Sequence, residues 1–524
     1  MNRQARSGAP EAFPESDLLS PEIIELLDDS ETTDGEVIEV NDSVQVTGGY
    51  FLRVVHITLE NTDTIYLHGI LLRRNEYIDQ QYSERNGHNL KSWLPCESKE
   101  LCAIIKTATG SSDIDADLRK IPMEDVKRKR NIMFTNTLYP CRKADNTLVC
   151  RWKWIQKDDG RKDTEFQLRR ITQAESDVSC GKSQSWLLRR ARPFQSHSLQ
   201  KAVGYTHADI CAGGGGSARA ADMAGLNIAW VLDNDPDAAN TLRENFGAEK
   251  VLEEDLADLA KQRGDRLCVD VLHISFVCKP HSGLNRGTNP ERDAMFIALG
   301  YTLPDILRVC KPRVVTMEQV PGVLKRSADG QHFRSYIHSL TEAGYECRWK
   351  TVDFSQYSNP HPRKRVIVLA SCPGQPLPSW PQPLNGPGLA DLVTINDALQ
   401  NMGPVDGLPD HMLRHTVLSD VQHPDPDKPL PRLISCSGGG ADIHPYEDRS
   451  FNMAELAALN GFPPWHKFPE LGITALRVLI GNAVPAMPFQ HFFREVVSAL
   501  EQTDEQLQKD ELNKGDGCID LTGD

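Results

Sequence analysis

The stretch HADICAGGGGSARAADMAGLNIAWVLDND, His207 to Asp235, decides how this chain is read. A short apolar strand ends near Asp209 and runs into four consecutive glycines, Gly213 to Gly216. Ser217 is a capping residue, and Ala218 to Leu226 has helical composition. A second strand, Ile228 to Leu232, ends in Asp233. Strand, glycine turn, helix and strand with a terminal acid make a nucleotide-type βαβ unit. Glycines let the backbone approach a ligand closely, and the helix N-terminus favours a carboxylate or phosphate. An acid at the second strand end suits a ribose diol. The spacing departs from G-x-G-x-x-G, which favours S-adenosylmethionine over NAD, with the methionine carboxylate at the helix and the ribose on Asp233. On this stretch alone, a purely structural glycine turn in another α/β protein stays open.

The 524 residues suffice for two or three domains. A formal net charge of −15 argues against nucleic acid only until it is located. Residues 1–42 hold 12 acids and 2 bases, and residues 501–524 hold 8 acids and 2 bases, so the body between them is close to neutral. Thirteen cysteines without C-x-x-C pairs or a secretory signal point to a reducing interior, and to neither a disulfide scaffold nor a zinc site. No apolar run approaches the roughly 20 residues that span a bilayer. The expectation is a soluble, intracellular protein with no membrane partner and no metal.

Residues 1–42 and 501–524 read as acidic disordered tails. From Ser43, the runs Val44–Thr47, Tyr50–Leu59 and Thr64–Leu72 alternate apolar and polar residues. Leu101–Ile105, Ile132–Asn136 and Thr147–Ile155 are further strand candidates, so 43–160 reads as a bent β domain. Residues 161–203 read as a basic linker. Across 151–202, Arg151, Lys153, Arg169, Arg170, Arg189 and Arg190 interleave with Trp152, Trp154 and Trp186. Such a mixture can follow a phosphate backbone, and a solvated linker face is equally open. Lys127-Arg128-Lys129-Arg130 is a basic tetrad of the nuclear-import type, which points to the nucleus.

After the opening unit the α/β rhythm continues, with strands expected at Val251–Asp255, Cys268–Phe276, Val314–Val320, Tyr345–Phe354 and Val366–Ala370. Helices are expected to about Gly264, over Arg292–Val309 and over Gln331–Ala343. This alternation predicts a mainly parallel, doubly wound sheet, whose ligands bind beyond the carboxyl ends of the strands. Ser275-Phe276-Val277-Cys278-Lys279-Pro280-His281-Ser282, Glu318-Gln319-Val320 and His361-Pro362-Arg363-Lys364-Arg365 all fall at or near strand ends. A thiol, an acid and two arginines therefore converge on the edge that carries the glycine turn.

In that order and spacing the chain resembles the cytosine-5 DNA methyltransferases. The Gly213–Gly216 turn matches their cofactor loop, and Ser275–Ser282 stands in place of S-P-P-C-Q-x-x-S. Glu318-Gln319-Val320 stands for E-N-V, and His361 to Arg365 for Q-x-R-x-R. Arg449 to Pro463 is similar to R-x-L-T-x-x-E-x-x-x-L-Q-G-F-P, and Ile480 to Pro485 is I-G-N-A-V-P. The resemblance covers about residues 204–500, with a short target-recognition region over 372–430. Gln319, the short chain and the segments Leu148–Trp152 and Arg169–Thr172 resemble the fungal RIP-defective, DmtA-like branch, which is associated with silencing of repeats and the sexual phase. Leu72-Arg73-Arg74 followed by Glu76 resembles a segment of bromo-adjacent homology (BAH) domains. Cys518 to Thr522, and Val37 to Val40, resemble SUMO-interaction motifs, which add a strand to a partner's sheet edge.

The resemblance implies DNA as substrate and S-adenosylmethionine as cofactor. It implies Cys278 as the nucleophile on C6 of cytosine, Glu318 on the N3 edge, Arg363 holding the flipped base and Arg365 supporting the site. It implies Asp209, Gly213, Gly215 and Gly216 at the cofactor loop, Asp233 on the ribose, Asp255 on the adenine and Asn482 closing the pocket. Phe276, Val277 and Lys279 depart from the family loop. Lost prolines loosen it, and a lysine beside the thiol favours thiolate. A DNA-associated pseudoenzyme and an RNA methyltransferase of the same fold are the alternatives. The residues that read base sequence are not legible in 372–430, nor is a preference for unmethylated or hemimethylated DNA.

Overall fold

The strand Thr206–Ile210 (β1) is buried almost throughout, as a strand at the centre of a covered sheet must be. In the computed structural model, the described residues are 24–32, 35–60, 64–75, 100–108, 118–136, 147–158, 164–177, 204–261, 266–277, 281, 289–324, 330–404, 407–434, 436 and 442–515. β1 is followed by Asn227–Leu232 (β2), Val251–Leu252 (β3), Val271–Ile274 (β4), Val314–Gln319 (β5), Glu346–Asp353 (β6) and Lys364–Ser371 (β7). Pairing gives the order β3–β2–β1–β4–β5–β7–β6. The first five are parallel, and β7 runs antiparallel to both its neighbours. β4 and β5 are buried along their whole length, which explains their continuous apolar composition. The single helix expected over Arg292–Val309 is two, Pro290–Gly300 and Leu303–Cys310, with Pro304 in the first turn of the second.

The chain forms two compact units, Met1–Leu72 with Asp117–Asn131, and Arg73–Ala116 with Ile132–Asp524. This division cuts across the expected 43–160 domain. Leu148–Asp158 pairs with Glu165–Arg170, and Glu165–Arg170 pairs antiparallel with β6, setting Phe166 opposite Trp349. Glu100–Ala108 and Ile132–Phe134 pair parallel with Leu148–Asp158. The seven-stranded sheet is thus extended by strands expected in the 43–160 β domain and the 161–203 linker. Trp154, Phe166 and Trp349 seal the junction, with ring centroids 5.6–5.8 Å apart. Among the described basic residues there, three are turned away from solvent and cannot follow a phosphate backbone. Arg151 and Lys153 are buried. Lys153 meets Glu175 at 2.7 Å, and Arg170 donates to the Asn136 carbonyl at 2.6 Å. Lys182, Arg189, Arg190, Trp186 and Phe194 lie outside the described residues.

The first unit is built from Ile24–Leu27, Ser43–Val46, Phe51–Glu60, Thr64–Arg74, Arg119–Pro122 and Val126–Lys129. Val44, Leu52, Val54, Ile57, Leu67, Ile121 and Val126 form its core. The expected N-terminal tail is corrected in part. Ile24–Leu27 pairs with Phe51–Glu60, and Val37–Glu39 forms a hairpin with Asp29–Glu31, with Ile38 fully buried. Val37 to Glu39 is therefore paired along one edge within its own fold, with Ile38 turned inward. Within the basic tetrad, Lys129 pairs with Asp42 at 2.5 Å, and Arg128 donates to Gln45 at 3.3 Å. Leu72 to Arg74 ends a strand, and Glu76 lies outside the described residues.

The expected C-terminal tail is also corrected. One helix runs from Ala486 to Gly515, and residues 516–524 lie outside the described residues. Its Phe489, Phe492, Phe493, Val496 and Leu500 cover the sheet, and the Phe489 and Phe493 rings meet the buried His273 and His207 edge-on. Further along, Asp504 takes both arms of the Arg313 guanidinium at 2.7 and 3.0 Å and the Tyr205 hydroxyl at 2.9 Å. Gln375 accepts from Arg313 and donates to Ala499 and Thr503. The acidic stretch packs because one acid points inward at a buried cation. Removing one partner of a buried pair strands the other, at a cost of about 3–5 kcal/mol. Asp504→Ala is accordingly expected to lower the urea midpoint by that equivalent. An unchanged midpoint would mean that the helix end is not part of the fold.

Candidate functional site

Three parallel strands, β1, β2 and β3, end beside one another, and the residues following them make the first half of the site. Beyond β1 the chain turns sharply, with Cys211 at φ 58°, Gly213 at φ 53° and Gly215 at φ 78°, all left-handed. Asp233, half-buried past β2, accepts the Gly213 amide at 2.8 Å and the Asp235 amide at 3.0 Å. Burial raises its pKa, and those amides hold it down. Asp255, past β3, is exposed and caps Leu256–Leu259 by accepting the Ala257 amide at 2.7 Å.

The four glycines have different duties. A Cβ on Gly213 would meet nothing within 4 Å, so this face is open. A Cβ on Gly214 would stand 2.8 Å from the Leu479 carbonyl, and one on Gly216 2.0 Å from the Val484 carbonyl. Gly215 faces Leu242 and Phe246. Gly215 and Gly216, expected to cradle the cofactor, therefore present no open side-chain face. Gly216 is needed for close packing on the segment Leu479–Val484. Asp209 is corrected likewise. It is fully buried and accepts the Ser217 hydroxyl under the helix start, so it supports the turn from below. Burial pushes its pKa up to about 7 against the pull of Ser217.

A nucleoside with a cationic amino-acid tail fits these residues. The left-handed Gly213 leaves a backbone face uncovered, Asp233 offers remaining lone pairs at the rim, and exposed Asp255 stands beyond the next strand. Asn482 is exposed at the end of Ile473–Asn482, the helix packed on the turn. Among the described residues, no cluster of three His, Cys, Asp or Glu side chains is placed to hold a metal ion. No described helix is long and apolar enough to cross a membrane.

The second half of the site lies past β4, β5 and β7. Glu318, buried near the end of β5, is 2.6 Å from Arg365 Nε on the paired strand β7. Arg363 does something else. It is 1% exposed and donates to the Gly481, Asn482 and Ala483 carbonyls at 3.1, 3.4 and 2.8 Å. It thus caps the C-terminal end of Ile473–Asn482, where the last carbonyls of a helix lack partners. In this structure Arg363, expected on a flipped base, makes these capping bonds, and Arg365 is the arginine at the acid. Cys278, Lys279 and Pro280 lie outside the described residues, as do residues 282–288. The approach to Cys278 is described. The Ser275 amide donates to Ile210, the buried Phe276 ring packs on Tyr336 at 5.2 Å, and the Gln319 side chain donates to the Phe276 carbonyl at 2.7 Å. The longer Gln319 amide thus still braces the loop, and an aromatic anchor stands where the family has proline.

In the C-terminal motif, Arg449 binds Glu455 through both arms at 2.8 and 2.9 Å, and Glu455 closes a capping box with Asn452 on Met453–Leu459. Sequence reasoning missed His466, which contacts the glycine turn through the Gly214 carbonyl at 2.9 Å. Its segment, Trp465-His466-Lys467, lies outside every motif quoted above.

Residues 205–405 match the family model of C-5 cytosine-specific DNA methylases. The chain is 29% identical over 204 residues to the type II methyltransferase M.NaeI of Lentzea aerocolonigenes, covering 38% of this chain and 46% of that one. It is 23% identical over 322 residues to the type II methylase M.HgiDII of Herpetosiphon aurantiacus, covering 53% and 90%. It is 26% identical over 194 residues to the DNA (cytosine-5)-methyltransferase PliMCI of Paracentrotus lividus, covering 34% and 12%. Residues 205–405 are thus similar to the C-5 cytosine-specific DNA methylases, and the chain spans a little under half the length of the first of these relatives.

Two glycine substitutions separate packing from ligand contact. Gly216→Ala forces a methyl into the Val484 carbonyl and is expected to lower the melting temperature sharply. Gly213→Ala, at φ 53° in open space, is expected to cost only about 1–2 kcal/mol of backbone strain but to abolish S-adenosylmethionine binding. Paired thermal unfolding and calorimetry check this. The opposite pattern would reverse the two assignments.

Proposed function

We propose that this protein is a DNA (cytosine-5-)-methyltransferase that takes its methyl group from S-adenosylmethionine. The single observation that carries the reading is the buried Glu318–Arg365 pair, 2.6 Å apart, on the sheet edge that also holds the glycine turn and leads into Cys278. Cytosine C5 is a weak nucleophile and needs activation. Cys278, as thiolate, adds to C6 and forms a C–S bond. Glu318 holds the N3 edge and shares a proton with it, so electron density gathers at C5. Arg365 orients the Glu318 carboxylate and supplies positive charge at the base edge. S-adenosylmethionine, when bound, would supply an electrophilic methyl group for C5, its sulfonium sulfur leaving as the neutral thioether. Loss of the C5 proton and β-elimination then break the C–S bond and release Cys278. The base must first leave the duplex stack, at a cost of a few kcal/mol. Asp233 and the open face of Gly213 hold the cofactor, with Asp255 and Asn482 at its margins.

The altered loop around Cys278 favours the second reading, a DNA-associated pseudoenzyme. The brace from Gln319 and the Phe276 anchor weigh on the side of activity. The segments Leu148–Trp152 and Arg169–Thr172 support placement in the fungal RIP-defective branch, and with it a role in silencing. The tetrad Lys127–Arg130 supports the nucleus as the site of action. Cys518 to Thr522 is proposed as a SUMO-type contact, and the first unit as a BAH-like, chromatin-facing module.

Transfer of labelled methyl groups to unmethylated and hemimethylated duplexes, with a tRNA arm, tests the proposal. Wild type is expected to label DNA and not tRNA. Glu318→Gln is expected to lose about 10²–10⁴-fold in rate, the range of a general acid–base group. Labelling by Cys278→Ala at the wild-type rate would remove the nucleophile assignment. Labelling of tRNA alone would move the chain to RNA.

A further inference from the structure

The peptides of Gly213 and Gly214 are gripped from two sides. On one side the Gly213 amide donates to Asp233 at 2.8 Å. On the other the Gly214 carbonyl accepts from His466 Nε2 at 2.9 Å. Arg219 Nε lies 3.3 Å from His466 Nδ1 and donates to it. A guanidinium has no acceptor, so Nδ1 must carry the lone pair and Nε2 the hydrogen. The tautomer that can hold Gly214 is thereby fixed. Burial pushes the ring's pKa down to about 3, which keeps it neutral.

The grip is itself anchored. Arg219 lies in the helix Gly216–Met223 that the turn feeds. Its other arms reach Asp222 at 2.6 Å and Asn245 Oδ1 at 2.9 Å, and its guanidinium stands 5.0 Å over the Phe246 ring. Asn245 accepts the Lys467 amide at 3.0 Å and donates to the Lys467 carbonyl at 2.7 Å, which fixes the backbone beside His466. Gly213 has open space where a side chain would be, so packing on that face does not set the orientation of the turn. The hydrogen bonds at its two ends fix it there, beside the close packing of Gly214 and Gly216 on Leu479–Val484.

We infer that His466 is a positioning residue for the cofactor, holding the Gly214 peptide so that the open face of Gly213 is presented to S-adenosylmethionine. The inference rests on the methyltransferase reading above. His466 does not touch the reacting atoms. It couples the cofactor turn to the segment that follows Met453–Leu459. It also lines a largely apolar cavity of about 310 Å³ shared with Met402, Met412, Phe462 and Phe468.

Calorimetry of the full chain with S-adenosylmethionine tests this. His466→Phe keeps a ring but loses the donor, and is expected to weaken binding about tenfold, as one lost hydrogen bond would. His466→Gln keeps an amide donor, and is expected to recover most of that loss. Met412→Ala, on another wall of the cavity, removes packing without touching the grip, and is expected to bind as wild type does. Thermal unfolding of each variant separates loss of fold from loss of affinity. Wild-type affinity in a folded His466→Phe chain overturns the role alone, as does equal weakening in His466→Phe and Met412→Ala. If His466→Phe does not fold, His466→Gln decides, and a tenfold loss in that folded variant overturns the donor role. A wild-type chain that takes up no cofactor sinks the methyltransferase reading, and this role with it.

Discussion

Everything at the site depends on how closely the glycine turn after β1 can approach the segment Leu479–Val484. At Gly214 and Gly216 the carbonyls of that segment occupy the space a side chain would need. The contact joins residues more than 260 positions apart in sequence. Arg363 secures the far side by capping the carbonyls of Gly481, Asn482 and Ala483. Asn460 adds a bond to the Ile480 carbonyl at 2.6 Å. The I-G-N-A-V-P motif is thus a structural wall behind the cofactor turn, with Asn482 as its exposed member. A methyl group on the wrong glycine would push the wall away before any ligand was affected.

Much of the site was legible in the sequence because the chemistry of a parallel sheet collects at strand ends. Asp233, Asp255 and Glu318 all stand there, and the segment leading to Cys278 follows β4. What the sequence could not show was which member of a motif faces the ligand. Arg363 and Arg365 stand two residues apart in a strand-entry segment, and only the packing of a distant helix end assigns Arg363 to capping. The resemblance implies Asp209 at the cofactor loop, yet its burial turns it toward Ser217. His466 carried no local signal, since its partners Arg219 and Gly214 come from far away in the chain.

The outer parts of the chain were misread for a common reason: composition was weighed above periodicity. In the C-terminal segment, Leu500, Thr503, Asp504 and Leu507 are buried at helical spacing, and the exposed Glu501 and Glu505 supply the acidity. The pattern was present but masked by net charge. Arg151 and Lys153 looked solvated by type, yet they lie on a strand covered on both faces, and Lys153 has Glu175 beside it. Ile38 sits among acids in sequence but inside the first unit in space. Pairing, and not residue class, decided each case.

The central claim is that Cys278 forms a covalent bond to cytosine in DNA while a cofactor is held on the glycine turn. A duplex carrying 5-fluorocytosine blocks the final loss from C5, so the adduct cannot resolve. Incubated with this DNA and S-adenosylmethionine, the wild-type chain should run on a denaturing gel as a protein–DNA conjugate. The peptide attached to DNA should contain Cys278, and no conjugate should form without cofactor or with Cys278→Ser. A folded, cofactor-bound chain that gives no conjugate, or one joined through another residue, would contradict the account.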